Sequence, residues 1–337
     1  MHLDDFDYVL PEDRIAQTPV EPRDSARLLV DRGTAGVEHR MVADLVELLE
    51  PGDVLVVNDS KVIPARLRLR RRSGGAVEVL LLEQSDGDDR NWDALIRPAR
   101  KMRVGEVLVD DSGLEVLAVG ERSDRGDTVA VRVLGTADPY DVLAQLGEMP
   151  LPPYITAPLG DPSRYQTVYA ARPGSAAAPT AGLHLTPALI ERLAERGIPL
   201  LRVELLVGLD TFRPVSATDP TQHVMHSERY RVDAAVLERC RAARRVVAVG
   251  TTSVRALESA ATTGELSGRT QLFIHRGYQW KVVDLMLTNF HLPRTTLLMM
   301  IDAFVGPRWR DVYRVALEEQ YRFLSFGDAM LLDRRAR

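Results

Sequence analysis

A chain of 337 residues is long enough for about two domains at ~150 residues each, and 45% hydrophobic with 27% charged residues is typical of a folded globular protein. The formal net charge is −5, from 43 basic and 48 acidic side chains, which excludes a globally basic nucleic-acid binder but not a local basic face. The single cysteine, Cys240, excludes a disulfide framework and a cysteine-based zinc site. The sequence shows no signal-peptide pattern and no apolar run long enough to span a membrane, so we expect no membrane partner and a cytoplasmic location.

The first 64 residues carry both helix and strand signals. Residues 41–49 predict a short helix that ends before Pro51. The apolar run 53–57 predicts a buried strand. Asn58, Asp59 and Ser60 follow it, so polar side chains are expected just beyond the end of this strand.

Six short strands are predicted in the next part of the chain, with turns rich in Gly, Asp and Ser between them. They are residues 66–70, 76–82, 92–97, 106–110, 114–120 and 128–134. No helix signal interrupts them, which favours a small antiparallel β-barrel. We therefore predict a six-stranded barrel domain over residues 65–150, inserted into an α/β catalytic domain formed by residues 1–64 and 151–337.

The last part of the chain alternates helices with apolar strands. Thr186 and Pro187 predict the start of a helix that Gly197 ends, and further helices are expected at 233–245, 254–261 and 307–323. Strands are expected at 199–207, 246–249 and 281–287. This alternation predicts a mostly parallel sheet, and the fold class is α/β.

Ligands of open α/β sheets bind beyond the carboxyl ends of the strands. The turn after the strand at 246–249 contains Thr251 and Thr252, and Arg255 follows one turn later. Backbone N–H groups, two hydroxyls and a guanidinium would suit a carboxylate or phosphate. An ordinary capped turn between strand and helix fits the same residues. Asn289 and His291 follow another strand and would line the same pocket.

Two further segments carry histidines. The loop Ala178–His184 consists mostly of small residues, which would allow a flat ligand to approach Thr180 and let His184 act as a base or hydrogen-bond donor. A surface loop whose histidine caps the next helix is the alternative. His223, His226 and Glu228 form a second group, for which polar active-site residues or a solvated loop are favoured over a metal site, because no cysteine lies nearby and no H-E-x-x-H pattern is present.

A stripe of basic residues marks the predicted barrel. Arg66, Arg68 and Arg70 alternate with leucines, so they lie on one face of a strand, and Arg97 and Lys101 lie one or two strands further on. Such a face could bind an RNA backbone. A solvated strand face is the alternative.

Motifs in order along the chain resemble those of one known family. They are PGDVLVVNDSKVIPARL (51–67), YQTVYA (165–170), APTAGLHLT (178–186), VGLDTFRPV (207–215), HVMHSE (223–228), AVGTTSVRALES (248–259), KVVDLMLTNFHLP (281–293) and YRFLSFGDAMLL (321–332). Together they resemble the S-adenosylmethionine:tRNA ribosyltransferase-isomerases of queuosine biosynthesis. The resemblance implies an α/β domain with a β-barrel domain, in agreement with the strand pattern.

The resemblance implies that the ribosyl group of S-adenosylmethionine is transferred to 7-aminomethyl-7-deazaguanine at the tRNA wobble position and isomerised. Epoxyqueuosine tRNA, adenine and methionine would be the products. The implied partner is a tRNA anticodon stem-loop. No metal and no cofactor beyond the co-substrate S-adenosylmethionine would be required, and we expect a monomer. A non-catalytic or altered-specificity RNA-binding paralogue, or a small-molecule sulfonium or nucleoside enzyme, are the alternatives.

For this reaction we assign roles to the candidate residues. His184 is the first choice for the base or the adenine contact, and His226 with Glu228 is the second acid/base candidate. The anion, expected to be the methionine carboxylate, is assigned to Thr251, Thr252 and Arg255. The other assignments are Thr180, Asn289 and His291 to the pocket wall, Asn58 and Asp59 to the ribose hydroxyls or the modified base, and Arg213 to a tRNA phosphate.

The sequence departs from the family pattern at three positions. Leu206 stands where a histidine is usual, Asp210 where a glycine is usual, and Ala26 where a serine is usual. If the residue at 206 is an essential acid/base group, catalysis would be lost or altered. If it only packs or orients a ligand, leucine is tolerable there.

Overall fold

The computed structural model describes residues 1–85, 87–123, 126–208, 220, 223, 225 and 227–336, apart from the side chain of Lys101. Strands are labelled in chain order. They are β1 (Arg27–Asp31), β2 (Val37–Met41), β3 (Val54–Asn58), β4 (Ser60–Val62), β5 (Arg66–Arg71), β6 (Ala76–Gln84), β7 (Asn91–Arg97), β8 (Val107–Val109), β9 (Glu115–Arg122), β10 (Val129–Val133), β11 (Gly147–Glu148), β12 (Arg172–Ser175), β13 (Leu200–Leu205), β14 (Glu228–Arg231), β15 (Val246–Val249), β16 (Ser267–Thr270), β17 (Leu285–Asn289) and β18 (Ala329–Asp333).

The α-helices of the described residues are short, and most of them follow a strand. They are α1 (Leu45–Leu48), α2 (Pro139–Leu146), α3 (Pro187–Glu195), α4 (Ala234–Ala242), α5 (Gly250–Thr263), α6 (Thr296–Val305) and α7 (Trp309–Glu318). Thr186 caps α3 as expected, since its Oγ1 accepts a hydrogen bond from the N–H of Leu189 at 3.1 Å. None of the helices in the described ranges is both long and apolar enough to cross a bilayer.

A nine-stranded mixed sheet forms the larger part of the fold. Its order is β16-β14-β13-β3-β15-β17-β18-β1-β2. The central strands β13, β3, β15 and β17 run parallel, whereas both ends of the sheet contain antiparallel pairs. The expectation of an α/β fold is confirmed, and the parallel part of the sheet is its centre.

Both faces of the sheet are buried, as the uninterrupted apolar strand β3 predicts. Val54 and Val56 of β3 point into a core that includes residues of α5, α6 and α7. Leu55 and Val57 point to the opposite side, into a core shared with α1 and α3. Successive side chains of a strand face opposite ways, so helices pack on both sides and only the strand ends remain open for a ligand.

Strands β5, β6, β7, β10, β9 and β8 form a closed antiparallel barrel. The closing pair is β5 with β8, where Arg70 lies opposite Val109 and Arg71 opposite Leu108. The barrel has its own apolar core, centred on the fully buried Trp92. The six-stranded barrel is therefore confirmed. The division of the chain into domains 1–64 with 151–337 and 65–150 stays a prediction.

Two predicted elements end elsewhere for identifiable reasons. Strand β17 begins at Leu285 and not at residue 281, because the buried Glu258 carboxylate accepts hydrogen bonds from the N–H groups of Lys281, Val282 and Val283 at 2.9, 3.0 and 3.0 Å. The last helix was expected to reach residue 323 but ends at Glu318. The backbone of Gln320 there has a φ of 58°, which is incompatible with a continuing right-handed helix.

Candidate active site

A cavity of about 380 Å³ opens beyond the carboxyl ends of β15 and β17. This volume lies within the usual range for small-molecule sites. Seven of the candidate residues line it: Thr180, Glu228, Thr251, Thr252, Arg255, Asn289 and His291. They come from four separate segments, so the structure brings together residues that the sequence holds far apart.

The start of α5 forms one wall of the cavity. Gly250 has a φ of +82°, which permits the sharp change from strand β15 to helix, and a Cβ there would lie 3.4 Å from Ala181. The helix therefore begins directly at the strand end and not at residue 254, and Thr251 and Thr252 occupy its first turn. Thr252 Oγ1 is buried and has no hydrogen-bond partner in the described part of the chain. Free N–H groups at a helix start favour an anion.

Arg255 and Glu228 form a buried ion pair at this wall. Arg255 is 6% exposed and Glu228 is 2% exposed, and Arg255 Nη1 donates to Glu228 Oε2. Glu228 Oε1 also accepts a hydrogen bond from the Gly208 N–H at 3.0 Å. The Nε and Nη2 atoms of Arg255 are buried and have no hydrogen-bond partner among the residues that the structure describes. The pair thus leaves buried cationic N–H groups without an acceptor in a residue of the cavity wall, and a bound anion is the kind of group that satisfies them.

His184 does not line the cavity but contacts Asn289, which does. His184 is buried behind the lining, and its Nε2 lies 3.1 Å from Asn289 Nδ2. An amide nitrogen can only donate, so Nε2 accepts from Asn289 and the proton of the neutral imidazole is on Nδ1. Thr180 Oγ1 in turn lies 3.1 Å from Asn289 Oδ1 and donates to it. These contacts fix the amide orientation at the end of β17.

Burial keeps both buried histidines of the site neutral. Loss of solvation lowers the pKa of His184 to about 4 and that of His291 to about 3. His291 lines the cavity and shares a hydrogen bond of 3.2 Å between its Nε2 and Thr288 Oγ1. Its backbone is held from both sides, because the Tyr8 hydroxyl donates to its carbonyl and its N–H donates to the Tyr313 hydroxyl at 3.0 Å.

Apolar and aromatic side chains that sequence reasoning missed complete the cavity. They are contributed by loops and by the start of α6, and include Pro152, Tyr154, Tyr165, Leu272, Phe273, Phe290 and Met300. Their local patterns resemble ordinary core positions. For Tyr165 and Phe290 a signal was available, since they lie in the YQTVYA and KVVDLMLTNFHLP motifs that carry the family resemblance.

Two further candidates, Asn58 and Asp59, also lie outside the cavity lining. Asn58 is fully buried and joins two strands: its Nδ2 donates to the Leu205 carbonyl at 2.9 Å, and its Oδ1 accepts from the Leu205 N–H at 3.1 Å. Asp59 is also buried, forms a 3.9 Å ion pair with Arg172, and has its pKa raised by burial. The assumption that every polar strand end faces the ligand fails here, because Asn58 is used to connect β3 to β13.

Several candidates lie outside the described residues, namely His226, Arg213 and the departure at Asp210. His223 is described and packs edge-on against Phe273, with ring centroids 6.2 Å apart. Within the described ranges, no three His, Cys, Asp or Glu side chains are grouped so as to hold a metal ion. Leu206 is half-buried, its N–H donates to the Arg229 carbonyl at 2.9 Å, and it is not a lining residue, although Val207 is.

The arginines of β5 are paired with carboxylates. Arg68 Nε donates to the two carboxylate oxygens of Glu148 at 2.9 and 3.1 Å. Arg70 Nε donates to Asp111 Oδ1 at 2.7 Å. All four side chains are more than half exposed, at 67%, 51%, 53% and 84% respectively. The net charge of this face is therefore smaller than the arginine stripe alone suggests.

The remaining basic candidates occupy different positions. Arg97 of β7 is exposed and lies opposite Glu78, which in turn lies opposite Arg68 across the sheet. Arg66 is half-buried and donates to a backbone carbonyl at 3.2 Å. The side chain of Lys101 is outside the described part of the chain. RNA binding by this face stays a prediction.

Comparison with known proteins agrees with this architecture. The model of a family described as queuosine biosynthesis protein matches residues 3–332, which is nearly the whole chain. The chain belongs to this family. Similar proteins include the S-adenosylmethionine:tRNA ribosyltransferase-isomerases of Symbiobacterium thermophilum and Moorella thermoacetica, each 50% identical over 344 residues that cover 98% of the chain and 100% of the relative.

A solved structure in the family is also similar. It is the crystal structure of the S-adenosylmethionine tRNA ribosyltransferase from Thermotoga maritima, with a TM-score of 0.55 and 38% identity, covering 97% of this chain and 99% of that one. The family resemblance and the fold inferred from the motifs are confirmed. As a member of this family the chain is an enzyme.

Proposed function

We propose that the enzyme transfers the ribosyl group of S-adenosylmethionine to 7-aminomethyl-7-deazaguanine at the wobble position of tRNA and isomerises it. The products are epoxyqueuosine tRNA, adenine and methionine. The names of the similar proteins support S-adenosylmethionine and tRNA as substrates. The observation that carries the proposal is the unpartnered, buried guanidinium edge of Arg255 beside the start of α5, in a cavity of small-molecule size.

The methionine carboxylate binds at that edge. Two N–H groups of Arg255, the hydroxyl of Thr252 and the first N–H groups of α5 can all donate to it. Glu228 orients Arg255 and balances its charge before the substrate arrives. A phosphate would also suit these donors, but the wall of Phe273, Phe290 and Met300 fits the aliphatic chain and the nucleoside of S-adenosylmethionine better than further anionic phosphates.

The chemistry requires a base, an adenine contact and an acceptor for the proton of the amine. The C5′ protons beside the sulfonium are acidic, so a base placed there starts the reaction. His226 with Glu228 remains our acid/base candidate. Met225 and Glu228, on either side of His226 in the sequence, both line the cavity. His184 is not favoured as the base, because its Nε2 already accepts from Asn289.

The remaining assignments follow the contacts. Thr180, Asn289 and His291 form part of the cavity wall. Because the imidazole of His291 is neutral, as is that of His184 next to Asn289, this part of the wall offers uncharged hydrogen-bonding groups. The contacts of Asn58 and Asp59 give no support for direct substrate binding, and we assign them structural roles.

On the RNA side, the barrel arginines Arg66, Arg68, Arg70 and Arg97 with Lys101, and Arg213, are proposed to contact the anticodon stem-loop. A monomer is sufficient for this reaction, which as written needs no metal or redox cofactor. A tRNA substrate would place the enzyme in the cytoplasm.

The proposal is tested by incubating the purified enzyme with S-adenosylmethionine and an anticodon stem-loop that carries 7-aminomethyl-7-deazaguanine. Adenine release and the mass of the RNA are followed together, and a stem-loop with unmodified guanine is the control. We expect one adenine for each RNA that gains the five-carbon unit, and neither with the control. Adenine without a change in RNA mass would favour a small-molecule enzyme. Binding of the RNA without adenine release would favour a non-catalytic paralogue.

A further inference from the structure

Two described segments that line the cavity, residues 152–154 and 324–325, belong to no helix or strand. They meet where the Tyr154 hydroxyl lies 2.7 Å from Ser325 Oγ, and we call them together the Tyr154–Ser325 wall. Tyr154 is only partly buried, so its side chain remains within reach of a ligand. A wall of this kind keeps its shape only if other groups bind its backbone, because no strand pairing or helix does so.

The side-chain amide of Gln17 binds the backbone of the first segment and its continuation. Its Oε1 accepts hydrogen bonds from the N–H groups of Thr156 and Ala157 at 2.8 and 3.3 Å, and from the Thr156 hydroxyl at 3.3 Å. Its Nε2 donates to the carbonyl of Tyr154 at 2.9 Å and to that of Ile15 at 3.4 Å. One amide thus gives this stretch of backbone the partners that a neighbouring strand would otherwise supply.

The backbone next to Gln17 binds the second segment. The Phe323 N–H donates to the Arg14 carbonyl at 2.8 Å, and the Ala16 N–H donates to the Phe323 carbonyl at 3.2 Å. Leu324, which follows, has a φ of 68°, a left-handed conformation that is unfavourable for a residue with a large side chain. Such a conformation persists only where the surrounding contacts enforce it, and it is found mostly at functional sites. The same short stretch of chain therefore holds both segments of the wall.

Gln17 acts on the cavity from outside, because it is half-buried and is not a lining residue. We propose that Gln17 is a positioning residue, whose amide fixes Tyr154 against Ser325 before S-adenosylmethionine binds. A wall that is already ordered in the free enzyme does not have to be ordered by the ligand, so the affinity is higher than with a mobile wall. The inference rests on the proposed function.

The test measures the affinity for S-adenosylmethionine by equilibrium dialysis. Gln17→Leu keeps a side chain of similar size but removes every hydrogen bond of the amide, so binding should weaken about three- to tenfold. Gln166→Leu is the matched control. The Gln166 amide is also half-buried and binds backbone, donating to the Val62 carbonyl at 3.1 Å and accepting from the Val62 N–H at 3.0 Å, but neither residue lines the cavity. Both variants should have a lower Tm, and only Gln17→Leu should have a lower affinity.

The kinetics separate positioning from catalysis. In adenine release with the modified stem-loop, Gln17→Leu should raise the KM for S-adenosylmethionine and leave kcat nearly unchanged, because the bound ligand restores the wall. Gln17→Glu keeps an acceptor for the N–H groups of Thr156 and Ala157 but has no donor for the Tyr154 carbonyl, and it should change KM in the same direction. A fall in kcat at unchanged KM in these variants would overturn the proposal.

A double-mutant cycle tests whether Gln17 acts through Tyr154. Tyr154→Phe removes the contact with Ser325 and should by itself weaken binding about threefold. If the amide and this contact fix the same wall, the double variant should bind hardly more weakly than Gln17→Leu alone. Two factors that multiply in the double variant would overturn the inference. Equal affinity of wild type and Gln17→Leu would do so too and would leave the proposed function standing, whereas a wild type that does not bind S-adenosylmethionine would overturn both.

Discussion

His184 Nε2 accepts a hydrogen bond from Asn289 Nδ2 across 3.1 Å, and this contact decides what the histidine can do. The lone pair that a general base would use is already engaged. Asn289 Oδ1, held towards Thr180 by the same arrangement, is the atom that His184 positions. His184 is therefore a positioning residue, which acts on the cavity through Asn289.

This role predicts different results for two substitutions of His184. His184→Ala leaves the Asn289 amide without its acceptor and should lower kcat/KM by about ten- to a hundredfold. His184→Gln provides a side-chain oxygen that can accept from Asn289, and should recover most of that loss. Steady-state adenine release measures both. A general base cannot be replaced by glutamine, so equal and severe loss in both variants would contradict the positioning role.

The buried neutral histidines predict that the enzyme loses stability in mild acid. The pKa of His184 is about 4 in the folded state, against 6.5 for an ordinary histidine. Between these two values the unfolded chain binds a proton that the folded chain does not, so the free energy of unfolding falls as the pH falls. For His184 alone the loss from pH 7 to pH 5 is roughly 2 kcal/mol.

Urea unfolding of the wild type and His184→Gln at the two pH values measures this loss. The variant should lose roughly 2 kcal/mol less than the wild type. His291, whose pKa is lowered to about 3, makes a similar contribution that both proteins share. Equal losses in the two proteins would show that His184 is protonated in the folded state already at pH 5.

From the Arg255–Glu228 ion pair we predict that a double variant regains stability but not affinity for S-adenosylmethionine. Arg255→Met leaves a buried carboxylate without its counter-charge and should cost about 3–5 kcal/mol of unfolding free energy. Arg255→Met/Glu228→Gln removes both charges and should recover most of this stability, since Gln keeps an acceptor for the Gly208 N–H. Affinity for S-adenosylmethionine should remain low in both. Restored affinity in the double variant would contradict the carboxylate assignment.

For Arg97 we predict an effect on how the affinity for RNA depends on the salt concentration. If it contacts a phosphate, Arg97→Gln should reduce the slope of log affinity against log salt concentration for the stem-loop by about 1, with no change in S-adenosylmethionine affinity. Arg132→Gln is a matched control in the same barrel, since Arg132 is paired with Asp88 at 2.7 Å. Fluorescence anisotropy over a salt series measures the slope. Equal slopes for wild type and Arg97→Gln would exclude this arginine from the interface.

The sequence predicts the barrel and the centre of the large sheet because their strands are apolar or alternate regularly. Strand β3 is fully buried, and its run of apolar residues shows this directly. The two strands at one end of the sheet, β14 (Glu228–Arg231) and β16 (Ser267–Thr270), carry no such pattern. They exist because they pair with each other and with β13, and pairings between distant segments are not visible in a local pattern.

The sequence predicts those residues of the site that directly follow the ends of central strands. Residues after β15 and β17 reach the cavity as expected. Asn58 does not, because its amide connects β3 to β13. The partnership of Arg255 with Glu228 depends on packing between segments that are far apart in sequence, so no local motif reveals it.

The most direct test of the central claim follows two labels from S-adenosylmethionine into the RNA. The enzyme is given the modified stem-loop and S-adenosylmethionine labelled with ¹³C either in the ribose or in the methyl group, and the wobble nucleoside is analysed by mass spectrometry. The account predicts that the ribose label enters the nucleoside and that the methyl label leaves with methionine. Methyl label in the nucleoside, or no label from either donor while adenine is released, would contradict it.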